Sequence, residues 1–364
     1  MEKRKLLRIA HSGAHAANLL AYPPSTPLQM SQSAAEYRLV IMEMKENYFS
    51  DWEEDWKQYR SFLISFAYRM TGSLSEAEDL VQDTFLECAN APRAEIRNPK
   101  SWLTRICANK GIDHLKSAYK KRETYPGTWL PDVIPDSLQV WASLHESASP
   151  EKKLIASESL TTSFLLLAER LTPDERAVYL LSEVFEYSFK EISTLLDKSE
   201  DACRKTAQRA RAAVLSAPRF AANSPDSTRL ISRFFESAMN GDNESLVALL
   251  SEESEFWSDG GGKVSAVKTV LKEKAKIAAF FAALGTSKAF VLSDFKLDFT
   301  QVSSRPGLIV SRRLPSGLWT FETVFSFEIL DGTIARIYAQ RNPDKLKAIE
   351  SVAGLGTGSL KQGA

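Results

Sequence analysis

LTPDERAVYLLSEVFEYSFKEISTLLDKSEDACRKTAQRARAAVL, residues 171–215, reads as a capped helix, a second short helix, a tight turn and a basic helix. Thr172-Pro173-Asp174-Glu175 supplies an N-cap, a proline at the first helical position and a capping-box glutamate. Ser188 and Glu191 repeat the pattern ahead of Ile192, Leu195 and Leu196, Asp197-Lys198 makes the turn, and Ser199 caps the last helix. In that helix Cys203, Ala207, Ala210 and Val214 form a narrow apolar stripe. Arg204, Lys205 and Gln208 point the other way, with Arg209 and Arg211 at the flanks. Small buried residues bring the helix close to its neighbours while long polar side chains project outward, as in a helix-turn-helix that enters a major groove. A helical hairpin with a solvated charged face is the plainer alternative.

The 364-residue chain is long enough for two or three domains, and its 44% hydrophobic content supports packed cores. Its net charge is zero, so any attraction for nucleic acid must come from local patches. One is the recognition-helix candidate. The other is Lys100–Glu123, with seven basic residues against two acids. Cys88, Cys107 and Cys203 are widely spaced, which predicts neither a disulfide framework nor a zinc site and fits a reducing cytoplasm. No run approaches a transmembrane length, and His11, Ser12 and His15 interrupt any signal-peptide core.

Composition divides the chain into a flexible extension (1–45), a helical domain (46–123), a proline-containing acidic linker (124–150), the helix-turn-helix domain (151–217), a second linker (218–225), an α+β domain (226–348) and a flexible tail (349–364). In the first helical domain, Ser75-Glu76-Ala77-Glu78 reads as a capping box. Val81, Phe85 and Cys88 form the buried stripe of the helix it opens, and Asp79, Gln82, Asp83 and Leu86 point elsewhere. An acidic face beside an apolar residue suits a protein partner, although a solvated face is the blander reading. In the basic helix from Pro99, Asn109, Asp113, Lys116 and Lys120 share one stripe beside Ala108, Ile112, Leu115 and Tyr119, and Trp102 is expected in the core.

After Asp226 the pattern predicts helices at 226–240, 243–251 and 266–284, and strands at 290–299 and 318–329. In the second strand Trp319, Phe321, Phe325, Phe327 and Ile329 face one way and Glu322, Ser326 and Glu328 the other. Pro315-Ser316-Gly317 and Asp331-Gly332 are hairpin turns, and Asn342-Pro343-Asp344 starts a terminal helix. No histidine follows His145, Asp294 and Asp298 lie opposite the apolar face, and Asp259 and Tyr338 have no evident acid–base partner, so no catalytic residue, cofactor or metal is assigned. Asp259-Gly260-Gly261-Gly262-Lys263 is a flexible loop, not a phosphate loop.

AYRMTGSLSEAEDLVQDTFLE, NPKSWLTRICANKGIDHLKSAYKKRET, LTPDERAVYLLSEVFEYSFKEISTLL and SEDACRKTAQRARAA, in this order, resemble regions 2 and 4 of bacterial extracytoplasmic-function sigma factors. YPGTWLP at 125–131, DGGGK at 259–263 and NPDKL at 342–346 resemble the subgroup with a fused SnoaL-like (NTF2-like) domain. The resemblance implies two all-α domains, a region 2 helical bundle and a region 4 helix-turn-helix, followed by an α+β cone. It implies a cytoplasmic, monomeric promoter-specificity subunit whose partners are core RNA polymerase and promoter DNA, with no membrane.

The resemblance also distributes roles. Asp79, Gln82, Asp83 and Leu86 would dock on core polymerase. Arg105, Asn109, Asp113, Lys116 and Lys120, with the loop 91–98, would capture the −10 element as a single strand. Ser199, Arg204, Lys205, Gln208, Arg209 and Arg211 would serve the −35 element, and the acidic linker would thread the RNA channel. Asp259, Gly260, Gly261, Gly262 and Lys263, with Asn342, Pro343, Asp344, Lys345 and Leu346, become candidates for regulatory contact between domains. Ala202-Cys203-Arg204 departs from the valine and lysine that many members carry early in the recognition helix. Two other readings stay open: an ordinary helix-turn-helix regulator sensing a small ligand through its C-terminal cone, and a cone that is an enzyme.

Overall fold

The computed structural model describes residues 52–88, 91, 93–122, 124–136, 150–215, 225–287 and 292–352. The expected extension 1–45, the linker stretches 137–149 and 218–224 and the last residues 353–364 lie outside the described residues.

Three helices build the first module: α1 (Glu53–Thr71), α2 (Leu74–Cys88) and α3 (Pro99–Arg122). Leu63, Phe66, Met70, Val81, Phe85, Leu103, Cys107 and Leu115 are buried among them. Gly72 ends α1 at φ +73°, and its N–H donates to Tyr68 O at 2.7 Å. The start of α2 corrects the expected capping box. The helix already begins at Leu74, so Ser75 lies inside its first turn. The carboxylate of Asp132 accepts from Leu74 N at 2.7 Å, while Asp132 N donates to Gly72 O at 2.7 Å and Tyr68 Oη to Asp132 O at 2.6 Å. The linker thus supplies a cap that sequence proximity assigned to the helix itself.

The second module comprises α4 (Pro150–Glu158), α5 (Thr162–Ala168), α6 (Pro173–Tyr179), α7 (Phe189–Leu196) and α8 (Glu200–Leu215). Both expected capping boxes form, Thr172 with Glu175 and Ser188 with Glu191. Asp197, at φ +52°, turns the chain from α7 into α8.

The C-terminal domain holds α9 (Pro225–Met239), α10 (Asn243–Leu249), β1 (Leu250–Asp259), β2 (Leu271–Lys272), α11 (Lys274–Gly285), β3 (Phe295–Val302), β4 (Arg305–Arg313), β5 (Trp319–Leu330), β6 (Thr333–Gln340) and α12 (Pro343–Val352). The sheet order is β2-β1-β6-β5-β4-β3, antiparallel except for β1 beside β6. Hairpins turn at Gly317 and at Asp331-Gly332, all three residues at positive φ. Phe234, Phe256, Phe281, Phe325, Phe327 and Ile337 fill the space between α9–α11 and the sheet. This α+β domain after two helical modules is the fold class expected.

Several boundaries differ. The helix expected over 243–251 ends at Leu249, and Leu250 opens β1. The helix expected over 266–284 begins only at Lys274, and the strand expected over 290–299 runs over Phe295–Val302. Strand β1 escapes a period-two reading because its register shifts between Leu250 and Glu255 and its inward positions include Ser254 and Ser258. Residues 349–352 belong to α12 rather than to a tail: Ile349 is buried, and Glu350 accepts from Phe321 N at 2.6 Å.

The polar face of β5 is covered too. Ser326 Oγ lies 3.2 Å from Thr162 Oγ1 of α5, so the sheet packs aromatic residues on one side and docks the helix-turn-helix module on the other.

Removing the Asp132 cap with Asp132→Ala should lower stability by about 1 kcal/mol in urea melts. Burial pushes this carboxyl up to about 6, so its pH-linked contribution is complete below the ordinary 3.8 and disappears as pH rises through 6. Asp132→Asn should flatten that part of the stability–pH curve.

Candidate functional site

In α8 the Ser199 hydroxyl accepts from Ala202 N at 3.2 Å, as a cap should. Cys203, Ala207 and Ala210 are buried, which turns Arg204, Lys205, Gln208, Arg209 and Arg211 to solvent. Three of these carry a carboxylate partner from their own module: Arg204 pairs with Glu200, Arg209 with Glu175 at 2.8 Å and Arg211 with Glu183. Arg204 also lies over the Phe189 ring. Hydrogen bonding from Arg209 is the main cause holding Glu175 below the usual carboxylate range. Lys205 and Gln208 make no ion pair or side-chain hydrogen bond among the described residues.

On α3 the exposed stripe holds Arg105, Asn109, Asp113 and Lys116; the side chain of Lys120 lies outside the described residues. Lys116 Nζ donates to Asp113 at 3.0 Å. Asn109 does not face open solvent alone, because its Nδ2 reaches Leu195 O of α7 at 3.5 Å. Ile96, Arg97, Trp102 and Arg105, with Thr194 and Leu195 from α7, line a groove of about 500 Å³. Trp102 is therefore not a plain core residue: it is half-buried, stacks on Trp52 at 5.5 Å between ring centroids, and lines that groove.

Asp79, Gln82, Asp83 and Leu86 occupy the outer face of α2, with Leu86 43% exposed. Partial burial first, then the neighbouring Asp83 and Glu76, pushes the Asp79 carboxyl upward. This face stays accessible while the modules are docked.

The two helical modules meet around Arg69. Its fully buried guanidinium donates to Ser159 Oγ at 2.7 Å and Ala156 O at 3.1 Å and lies over the Phe185 ring. Arg176 donates to Arg69 O at 2.9 Å and pairs with Glu169 at 2.6 Å. Thr104 and Tyr187 share a 3.0 Å hydrogen bond across the same seam.

The glycine loop, the α12 cap and the linker converge on Asp259. Tyr125 Oη donates to its Oδ1 at 2.7 Å and Gly261 N at 2.9 Å; Leu130 N reaches Oδ2 at 3.1 Å and Lys345 Nζ at 2.9 Å. Asp259 is wholly buried, so these donors replace its hydration. The Lys345 ammonium lies 4.6 Å from the Trp129 ring centroid and also donates to Leu130 O. Asn342 donates to Tyr125 Oη at 2.9 Å and accepts from Asp344 N at 3.0 Å. Gly261 has φ +60°, and a Cβ there would overlap the Asn342 carboxamide; one on Gly262 would meet Pro126 at 2.7 Å. A Cβ on Gly260 would meet Val264 O at 2.5 Å. Lys263 pairs with Asp344, Pro343 begins α12, and Leu346 is buried.

Sequence reasoning missed the linker's half of this cluster, Tyr125, Trp129 and Leu130. It also missed Arg69, Arg176 and Asp132. The aromatic stretch YPGTWLP was the one available signal for the linker residues; buried arginines carry none in sequence. Asp259 and Tyr338, for which the sequence offers no acid–base partner, lie buried against the linker and the sheet, and Asp259 is already occupied by four donors.

The profile of Sigma-70 region 2 matches residues 56–121, and that of Sigma-70 region 4 matches residues 162–214. The chain is 32% identical over 232 residues to the ECF RNA polymerase sigma factor SigJ of Mycobacterium tuberculosis, covering 63% of this chain and 72% of the relative. It is 30% identical over 199 residues to the probable ECF RNA polymerase sigma factor SigI of that organism, covering 54% of this chain and 65% of the relative. The crystal structure of M. tuberculosis SigJ superimposes with a TM-score of 0.58 at 25% identity, covering 81% of this chain and 98% of that one.

A thermodynamic cycle tests the Asp259 cluster. Lys345→Met alone leaves the carboxylate buried without its cation and should cost about 3–5 kcal/mol in chemical denaturation. Lys345→Met with Asp259→Asn should cost less than the sum of the single changes. Additive losses would show that the pair is not coupled.

Proposed function

We infer, from a chain that belongs to the extracytoplasmic-function RNA polymerase sigma factors, that its helical modules direct core polymerase to promoters while its C-terminal domain holds them in a closed arrangement. The observation carrying this reading is the presence, in one chain, of an open acidic face on α2 and a cationic recognition helix on a separate module. A helix-turn-helix regulator acting without polymerase has no use for the first.

Asp79, Gln82, Asp83 and Leu86 are assigned to core polymerase. Arg105, Asn109, Asp113 and Lys116, with Trp102 and the groove beside it, are assigned to single-stranded −10 DNA, where a base can stack and phosphates meet cations. On α8, Lys205 and Gln208 are assigned to direct reading. Arg204, Arg209 and Arg211 must first exchange their carboxylate partners for DNA.

Closure matters because Asn109 and Leu195 lie within 3.5 Å, so the α3 stripe and the helix-turn-helix cannot reach separate promoter elements at once. The modules must part on the polymerase. The Asp259 cluster opposes this by fastening the linker to the cone, and effective concentration within one chain makes a modest interface sufficient. The filled aromatic interior of the cone and the committed Asp259 carboxylate favour a docking role over catalysis or a small ligand. The site of action is assigned to the cytoplasm with core polymerase. Among the described residues no helix is long and apolar enough to cross a membrane.

Reconstituted transcription with bacterial core polymerase tests the assignment. The full chain should support initiation at its promoters, and a chain ending near Ala217 should give a different output; equal output would remove the regulatory role of the cone. Joint alanine substitution of Asp79, Gln82 and Asp83 should weaken core binding about ten-fold or more, equivalent to about 1.4 kcal/mol. Lys205→Ala should cost about 1–3 kcal/mol of site discrimination, whereas a loss uniform across DNA sequences would make it a phosphate contact.

A further inference from the structure

Glu328 lies in the seam between the sheet and the helix-turn-helix module, and none of the roles above uses it. It is 1% exposed on β5, two residues beyond Ser326, whose hydroxyl meets Thr162 of α5. Neither carboxyl oxygen has a hydrogen-bond partner of normal geometry among the described residues. The groups facing it are Ser163 from α5, the Arg305 guanidinium from β4, and the Arg336 guanidinium and Tyr338 hydroxyl from β6. These cations are not dedicated to it: Arg336 pairs with Glu255 of β1 at 3.4 Å, and no hydrogen bond joins Arg305 Nε to the carboxyl.

A carboxylate held out of water, with the Ser163 hydroxyl and N–H near it but outside normal hydrogen-bond geometry, is expensive to bury, whereas the neutral acid is tolerated. We propose that Glu328 is a proton-operated latch between the cone and the helix-turn-helix module: the neutral acid lets the sheet close on α5, and the carboxylate drives the two apart. Burial pushes this carboxyl up to about 7, outweighing the opposing pull of Ser163, Arg305 and Arg336. Undocking removes α5 and admits water, which returns the group toward its ordinary value of 4.5. Its contribution to docking is therefore complete below 4.5 and is lost as pH rises through 7. Between these limits one proton separates the states, so the open-to-closed ratio rises up to about ten-fold per pH unit. Acid closes the molecule and alkali loosens it. The consequence for transcription rests on the function proposed above; the docking itself does not.

The test uses the full chain with fluorescent donor and acceptor on Lys190→Cys in α7 and Ser316→Cys at the β4–β5 hairpin, both exposed positions. The native cysteines described, Cys88, Cys107 and Cys203, are buried. Energy transfer is followed from about pH 5 to about pH 8.5. The expected result is a loss of transfer as pH rises in the parent and a flat, closed profile in Glu328→Gln. Asp132 also titrates in this range but is common to both proteins and cancels in the comparison. The same pH profile in both overturns the latch. Should the glutamine variant fail to fold by circular dichroism, infrared difference spectra of the parent decide: a buried protonated carboxyl at about pH 6 that is lost by about pH 8 is required, and its absence overturns the proposal. Intact pH-dependent opening without any promoter activity would strike the sigma-factor reading and leave the latch standing.

Discussion

A buried carboxylate with four donors, Asp259, fastens three separate stretches of chain to one point. Its donors come from the linker, the glycine loop and α12, so none of these can move without exposing or orphaning a charge. The low-dielectric surroundings strengthen the Lys345–Asp259 attraction and raise the cost of leaving either group alone. The close approach of Gly261 to Asn342 and of Gly262 to Pro126 then follows, because a side chain at either position would hold the linker off.

From this anchor the linker runs along the sheet and caps α2 with Asp132. The first helical module is thus tied to the cone by a helix cap as well as by packing. The second is held by different means: hydroxyl contacts onto β5 and a buried Arg69 satisfied by a hydroxyl, carbonyls and an aromatic face rather than by a carboxylate. Such a seam is specific in geometry, and its buried ion pair, Arg176–Glu169, lies within the second module rather than across the seam. The α8 arginines are likewise held by local ion pairs that are weak individually and are screened by salt.

The two faces of the cone's sheet are covered by different chemistry. The interior is closed by edge-to-face and tilted contacts among Phe234, Phe235, Phe281, Phe325 and Phe327. The opposite face of the same sheet, polar by alternation, becomes the docking surface. A strand with apolar residues on one side and Ser326 and Glu328 on the other looks half-solvated; here both sides are covered.

Local chemistry made the helix-turn-helix legible in advance. Capping boxes, the Asp197 turn and the apolar stripe on α8 are interactions between residues a few positions apart, and their periodicity survives in sequence. The same holds for the outward direction of Asp79, Gln82, Asp83 and Leu86 and for the cap at Asn342. Tertiary structure alone decided that Asp132 would cap a helix 58 positions away, that Tyr125 would meet Asp259 across 134 positions, and that Asn109 would touch Leu195. It also decided that β1 would be a strand despite its charges. Periodicity records which side of an element is apolar, whereas the partner of a polar group across a long chain separation is set by how modules pack.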